Sequence, residues 1–141
     1  KARKIMKNRL CSGLLCIAAG LLLIAVPVYI LPVCEAAAPP YMKCFWTMRV
    51  EVGLGCALLF LGLMLVLSRN IGVRLGLSLG GVCLAALAVA VPTVLVGVCG
   101  MDTMPCRMGT LPALVLTGGL LLAGLLLNAA WLLKILKVKR F

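Results

Sequence analysis

A chain of 141 residues that is 65% hydrophobic and only 12% charged, with a mean hydropathy of +1.24, is too apolar for a soluble globular domain, in which nearer half the residues are apolar and about a quarter charged. Its net charge of +11 falls at the ends of apolar runs, so it reads as a membrane-topology signal and nucleic acid is not an expected partner. Histidine is absent, which argues against His-ligated haem or a catalytic zinc site; no cofactor and no metal is expected.

The basic arm KARKIMKNR leads into a first apolar run from Leu10 to Val33. Arm, run and CEAAAP imitate a secretory signal, but the run of roughly 24 residues is longer than the usual core of about 7–15, so a retained first helix is expected. Three further runs follow, Met48 to Leu67, Leu75 to Val98 and Leu111 to Leu133. Each has about the 20 residues that a helix needs to cross about 30 Å of hydrocarbon. Strand-like alternation is missing and Leu, Ala and Gly dominate, which favours helices over a barrel. The expected fold is an all-α integral membrane four-helix bundle, one domain spanning residues 1–141.

Basic residues are retained on the cytoplasmic side of membrane helices. The arm carries five, the stretch SRNIGVR two and the tail KILKVKRF four. The two other connections hold only Lys43, Arg49 and Arg107, together with all three acids, Glu35, Glu51 and Asp102. Both termini are therefore expected in the cytoplasm, with arm and tail against anionic membrane lipid. Tyr41 and Trp46 read as interfacial anchors on the outer side and Trp131 on the inner side.

The segment VPVYILPVC (Val26 to Cys34) aligns without a gap with VPTVLVGVC (Val91 to Cys99) at an offset of 65 residues. Beyond it, Met42 to Cys44 matches Met104 to Cys106, and Gly53 with Gly55 faces Thr117 to Gly119. Two repeated transmembrane hairpins are expected, about 10–67 and about 75–133, related by a pseudo-two-fold axis along the membrane normal. Pro27 and Pro92 each free a carbonyl and are expected to kink their helices alike.

Of the eight cysteines, Cys11, Cys16, Cys56 and Cys83 fall within helices as small apolar residues. Cys34, Cys44, Cys99 and Cys106 fall on the outer, oxidising side. Three pairings are open to four cysteines; the repeat favours Cys34 with Cys44 and Cys99 with Cys106. Two other chemistries compete with structural disulfides. Thiol redox work favours C-x-x-C at a helix start, and this chain lacks it on the outer side. Copper(I) binding is suggested by Met42, Met48, Met101, Met104 and Met108 beside those cysteines.

Glu51 lies about one turn into the second helix, where an acid is a functional candidate or is paired. Arg49 points elsewhere on the helix, so Arg107 or Lys43 is the expected partner. Gly53, Gly55, Gly118, Gly119 and Gly124 are expected to line close helix contacts between hairpins or with a partner. Asn128 is expected to hydrogen-bond within the bundle.

The pattern M-K-C-x-x-T followed by E-x-G-x-G, here Met42, Lys43, Cys44, Thr47, Glu51, Gly53 and Gly55, resembles a family of small bacterial four-helix membrane proteins of unknown function. The likeness covers the full length. It departs where the family tends to have His after the signature Cys and this chain has Phe45, which weakens a metal or proton role there. The resemblance implies an accessory subunit of ABC-type exporters in the bacterial inner membrane. Together with the lack of a nucleophile–base pair, phosphate loop or metal-ligand set, it leads to the expectation of a non-enzymatic accessory or assembly subunit. Its partner would be another membrane protein, such as an ABC-type permease, or a second copy. The alternatives are outer-face thiol or copper handling, and a small carrier or channel using Glu51.

Overall fold

A computed structural model describes residues 1–31, 43–98, 100, 102–103 and 106–141. Helix α1 (Ala2–Ala25) continues into a wide π-helical turn, Val26–Ile30. Helix α2 (Lys43–Leu67) and α3 (Ile71–Ala90) follow, and α3 likewise runs into a π-helical turn, Val91–Leu95. A third π-helical turn, Cys106–Thr110, leads into α4 (Leu111–Arg140). No strand occurs among the described residues, and four helical segments are long and apolar enough to cross a membrane.

The helices reach further than the apolar runs. The basic arm is already α1 and the basic tail is still α4, so their long side chains extend the helices toward the membrane surface. Helix α3 starts at Ile71 rather than near Leu75, because the side chain of Asn70 accepts a hydrogen bond of 2.9 Å from the Gly72 N–H and caps its first turn. In α4, Pro112 stands in the first turn, where its missing N–H has no intrahelical acceptor to lose.

Pro27 and Pro92 both occupy the second position of a π-helical turn and are fully buried. There the ladder closes five residues on: the Leu31 N–H donates to the Val26 carbonyl at 2.8 Å and the Val96 N–H to the Val91 carbonyl at 3.0 Å. Gly97, at φ +78°, also donates to Val91 and ends the third helical segment in a left-handed conformation that suits glycine.

Helices α1 and α2 pack antiparallel and closely. A Cβ on Gly20 would stand 2.8 Å from the Gly55 carbonyl oxygen, and one on Gly62 would stand 2.9 Å from that of Gly13. In each helix the two glycines are seven residues apart, the spacing that keeps one seam in contact between antiparallel helices. Helices α3 and α4 pack through Gly81 against Leu125 and through Gly118 against Val89. Contacts of α1 with α4 and of α2 with α3 complete a four-membered ring around a core that includes Cys16, Leu23, Leu58, Ala88, Leu114 and Leu121. Large apolar side chains such as Leu14, Phe60, Leu120 and Leu127 point outward, so the helices are apolar all round, as lipid demands.

Burial follows a shared register. Thr47, Glu51, Gly55, Leu58, Gly62 and Leu65 are the buried positions of α2 from its second turn onward. Counting on 63 residues from each reaches Thr110, Leu114, Gly118, Leu121, Leu125 and Asn128, all buried on or at the start of α4. At an offset of 65, Gly13, Cys16, Gly20, Leu23, Val26 and Pro27 correspond to Ser78, Gly81, Ala85, Ala88, Val91 and Pro92, again all buried.

Candidate functional site

The α2 face that begins at Thr47 carries the one acid placed inside the bundle among the described residues. The Thr47 hydroxyl donates to the Gly97 carbonyl at 2.7 Å, which fixes α2 against the end of the third helical segment. One turn on, Glu51 is fully buried, and neither carboxyl oxygen has a hydrogen-bond partner among the described residues. It lies eight residues into α2, about 12 Å along the axis. An unpaired acid at such depth costs several kcal/mol if charged, and its retention in an otherwise apolar layer makes it a candidate for function.

None of the bases expected to pair with Glu51 does so. Arg107 is bound to Asp102 at 2.9 Å on the surface. Lys43 is exposed. Arg49 is exposed too, with its guanidinium carbon 5.2 Å from the centroid of the Phe45 ring, a stacking that the i to i+4 spacing permits. All three keep their charged heads exposed to solvent, where a cation is hydrated at no cost.

Thr110 mirrors Thr47: its hydroxyl donates to the Leu31 carbonyl at 3.0 Å. Each of these threonines, at the start of a helix in one hairpin, thus bonds the terminal carbonyls of a helix in the other. The position matching Glu51 in α4 is Leu114, so the acid is on one side only.

Of the glycines expected at helix contacts, Gly55 and Gly118 are packed, and a Cβ on Gly124 would meet the Leu15 side chain. Gly55 faces α1, within its own hairpin, and Gly124 faces α1 across the hairpins. Gly53 and Gly119 have nothing within contact distance of a Cβ; Gly53 is two residues from Glu51 and therefore points away from the buried face. Gly13, Gly20, Gly62 and Gly81 carry close contacts that composition does not reveal, since a glycine in an apolar run looks the same on either face.

Cys34 and Cys99 lie outside the described residues, as do Tyr41, Met42, Met101 and Met104. The expected pairings Cys34–Cys44 and Cys99–Cys106 therefore fall outside them as well. Cys44 is buried in the first turn of α2, and Cys106 opens the turn before α4. Of the helical cysteines, Cys16 is buried in the core while Cys11, Cys56 and Cys83 are exposed.

A second polar layer occupies the end of the bundle that carries both termini. The Asn8 amide donates to the Asn128 carbonyl oxygen at 2.7 Å, and the Asn128 amide donates to the Ser78 hydroxyl at 2.7 Å. This joins α1, α4 and α3. Arg74, one turn before Ser78, is fully buried. Charge counting treats Arg74 as one more surface base of the SRNIGVR stretch; in the structure it lies in α3 on the buried face that continues through Ser78 and Gly81.

No curated protein and no solved structure matches the chain. Residues 16–132 match the family described as Domain of unknown function (DUF4418), a span from the buried Cys16 of α1 to the buried Leu132 of α4, and the chain belongs to that family.

Proposed function

We propose that this chain is a non-enzymatic accessory or assembly subunit of a membrane complex, built from two repeated hairpins with both termini in the cytoplasm and its cysteine loops outside. The carrying observation is an open stripe of glycine. Gly72, Gly76 and Gly80 follow one another at four-residue spacing on α3, and all three are exposed. A Cβ at Gly76 would meet nothing within 4 Å, and one at Gly80 only Leu61 at 3.9 Å. A flat small-residue stripe on a transmembrane helix lets another helix approach closely.

The shared burial registers of α1 with α3 and of α2 with α4, and the paired π-helical turns, support the repeat. The distribution of basic residues supports the orientation. The Met42 to Gly55 pattern is read as the family's signature, and the resemblance behind it favours the bacterial inner membrane and an ABC-type permease as partner.

Affinity purification of the full chain in mild detergent tests the reading. A permease or a second copy should accompany the wild-type chain, and Gly76→Ile, which fills open space and leaves the bundle intact, should lower its recovery at least tenfold. A wild-type chain that purifies alone, as a monomer, sinks the proposal. A second reading, a small carrier using Glu51, is favoured by the burial of that carboxyl without a hydrogen-bond partner among the described residues. Loss of transport in Glu51→Gln, with assembly intact, would favour it over scaffolding.

A further inference from the structure

Arg74 stands in the first turn of α3, fully buried, and its Nε and both terminal nitrogens have no hydrogen-bond partner among the described residues. Arg9 of α1, partly buried, has an Nε in the same condition, and its neighbour Asn8 is tied through Asn128 to Ser78, one turn from Arg74. The two positions are 65 residues apart, the offset that relates the buried faces of α1 and α3. Two like charges thus converge at one end of the bundle, and the positive end of the α3 dipole adds to them.

Among the described residues no acidic side chain is placed to balance them. The three acids are Glu35, Glu51 and Asp102. Glu51 lies near the other end: its neighbour Thr47 bonds Gly97, and Arg74 precedes even Val91 by 17 residues, about 25 Å of helix. Asp102 is bound to Arg107, and Glu35 lies outside the described residues. Buried charge of one sign, without a counter-charge, is among the most expensive arrangements a protein can hold.

We propose that Arg9 and Arg74 form a binding site for a phosphate oxyanion at the end of the bundle that carries both termini. Guanidinium forks match phosphate oxygens in pairs. Ser78, one turn beyond Arg74 on the same face, accepts from Asn128 and so keeps its own O–H free to donate. A cavity of about 370 Å³ adjoins this layer, lined by Asn8, Ser12, Asn128 and Trp131 among others. Beside it a cleft of about 710 Å³ has Lys1, Lys134 and Lys139 over apolar side chains, and Trp131 lines both. Arg9 is the less buried of the pair and follows Asn8 of the cavity wall in sequence. A lipid headgroup and a free phosphate both present the required oxyanion.

The test uses the full chain, stripped of lipid in an uncharged maltoside detergent, and follows thermal unfolding against added ligand at constant ionic strength. One arm adds inorganic phosphate with chloride as control; the other adds phosphatidic acid with oleate as control. Saturable stabilisation in the first arm assigns a free phosphate, and in the second arm alone a lipid headgroup; either supports the site. Arg9→Gln and Arg74→Gln should each raise the apparent Kd at least tenfold, while Lys4→Gln, exposed on the same arm, should leave it unchanged. Arg74→Met should be more stable than wild type without phosphate and less stable at saturating phosphate. Should an Arg74 variant fail to fold, Arg9→Gln carries the comparison. No saturable effect in either arm, or equal binding by wild type and Arg9→Gln, overturns the proposal.

Discussion

Replacing Gly55 with alanine adds one methyl group to the α1–α2 seam. That carbon would stand 2.7 Å from the Gly20 carbonyl oxygen and 2.7 Å from Cγ1 of Ile24. The Ile24 side chain can rotate away, but the Gly20 carbonyl is helix backbone, so the two helices must separate. Taken alone, Gly→Ala in a helix interior stabilises by about 0.5–1 kcal/mol. Overpacking costs about 1–3 kcal/mol, so Gly55→Ala should be net destabilising, by up to about 2 kcal/mol. Gly53→Ala supplies the reference: it has the same helix, nearly the same depth, and nothing within 4 Å of its Cβ. Only the propensity gain applies there. The two variants should differ by about 1–3 kcal/mol, at least about fivefold in the unfolding equilibrium. Reversible unfolding in mixed micelles of sodium dodecyl sulfate and dodecyl maltoside, followed by circular dichroism, measures this difference. Equal stabilities, or a Gly55→Ala variant more stable than Gly53→Ala, would refute the close seam. The double variant Gly20→Ala/Gly55→Ala should cost less than the sum of its parts, because one separation of the helices relieves both clashes.

The same unfolding assay checks three more outcomes. Glu51→Leu, which installs the residue found at the matching position of α4, should stabilise the bundle by about 1–4 kcal/mol, since it removes a buried acid that has no hydrogen-bond partner among the described residues; a destabilised variant would mean that the carboxyl is engaged. Asn128→Leu should cost about 1–3 kcal/mol by stranding Asn8 and Ser78, and an unchanged midpoint would show that the three-residue bridge contributes nothing. Thr47→Val and Thr110→Val should each cost about 0.5–1.5 kcal/mol, and by similar amounts, because each removes one hydroxyl bond to a terminal carbonyl.

The four helices are legible in composition because hydrocarbon demands long, uninterrupted apolar runs. Which face of each helix turns inward is much less so. In water an apolar stripe marks the buried side, but here Leu14 and Leu127 face outward while Leu23 and Leu125 face inward, and lipid does not distinguish them. The legible positions are those where chemistry departs from leucine. Thr47, Glu51, Gly55 and Gly62 mark the buried face of α2 at helical spacing, and Gly53 falls off it. Charge alone points to Arg107 or Lys43 as the partner of Glu51, whereas Arg107 is held on the surface beside Asp102. Arg74 escapes a charge count because α3 begins four residues before its apolar run, at Ile71, and Arg74 falls in register with the buried Ser78 and Gly81.

The threonine bonds at one end and an asparagine pair at the other run between hairpins, Thr47 to Gly97, Thr110 to Leu31, and Asn8 to Asn128. The halves are therefore hooked together at both faces of the membrane, independently of the short peptide that joins α2 to α3. Severing that peptide should leave the assembly standing: residues 1–69 and 70–141, produced as separate chains in one membrane, would each arrive holding half of every hook.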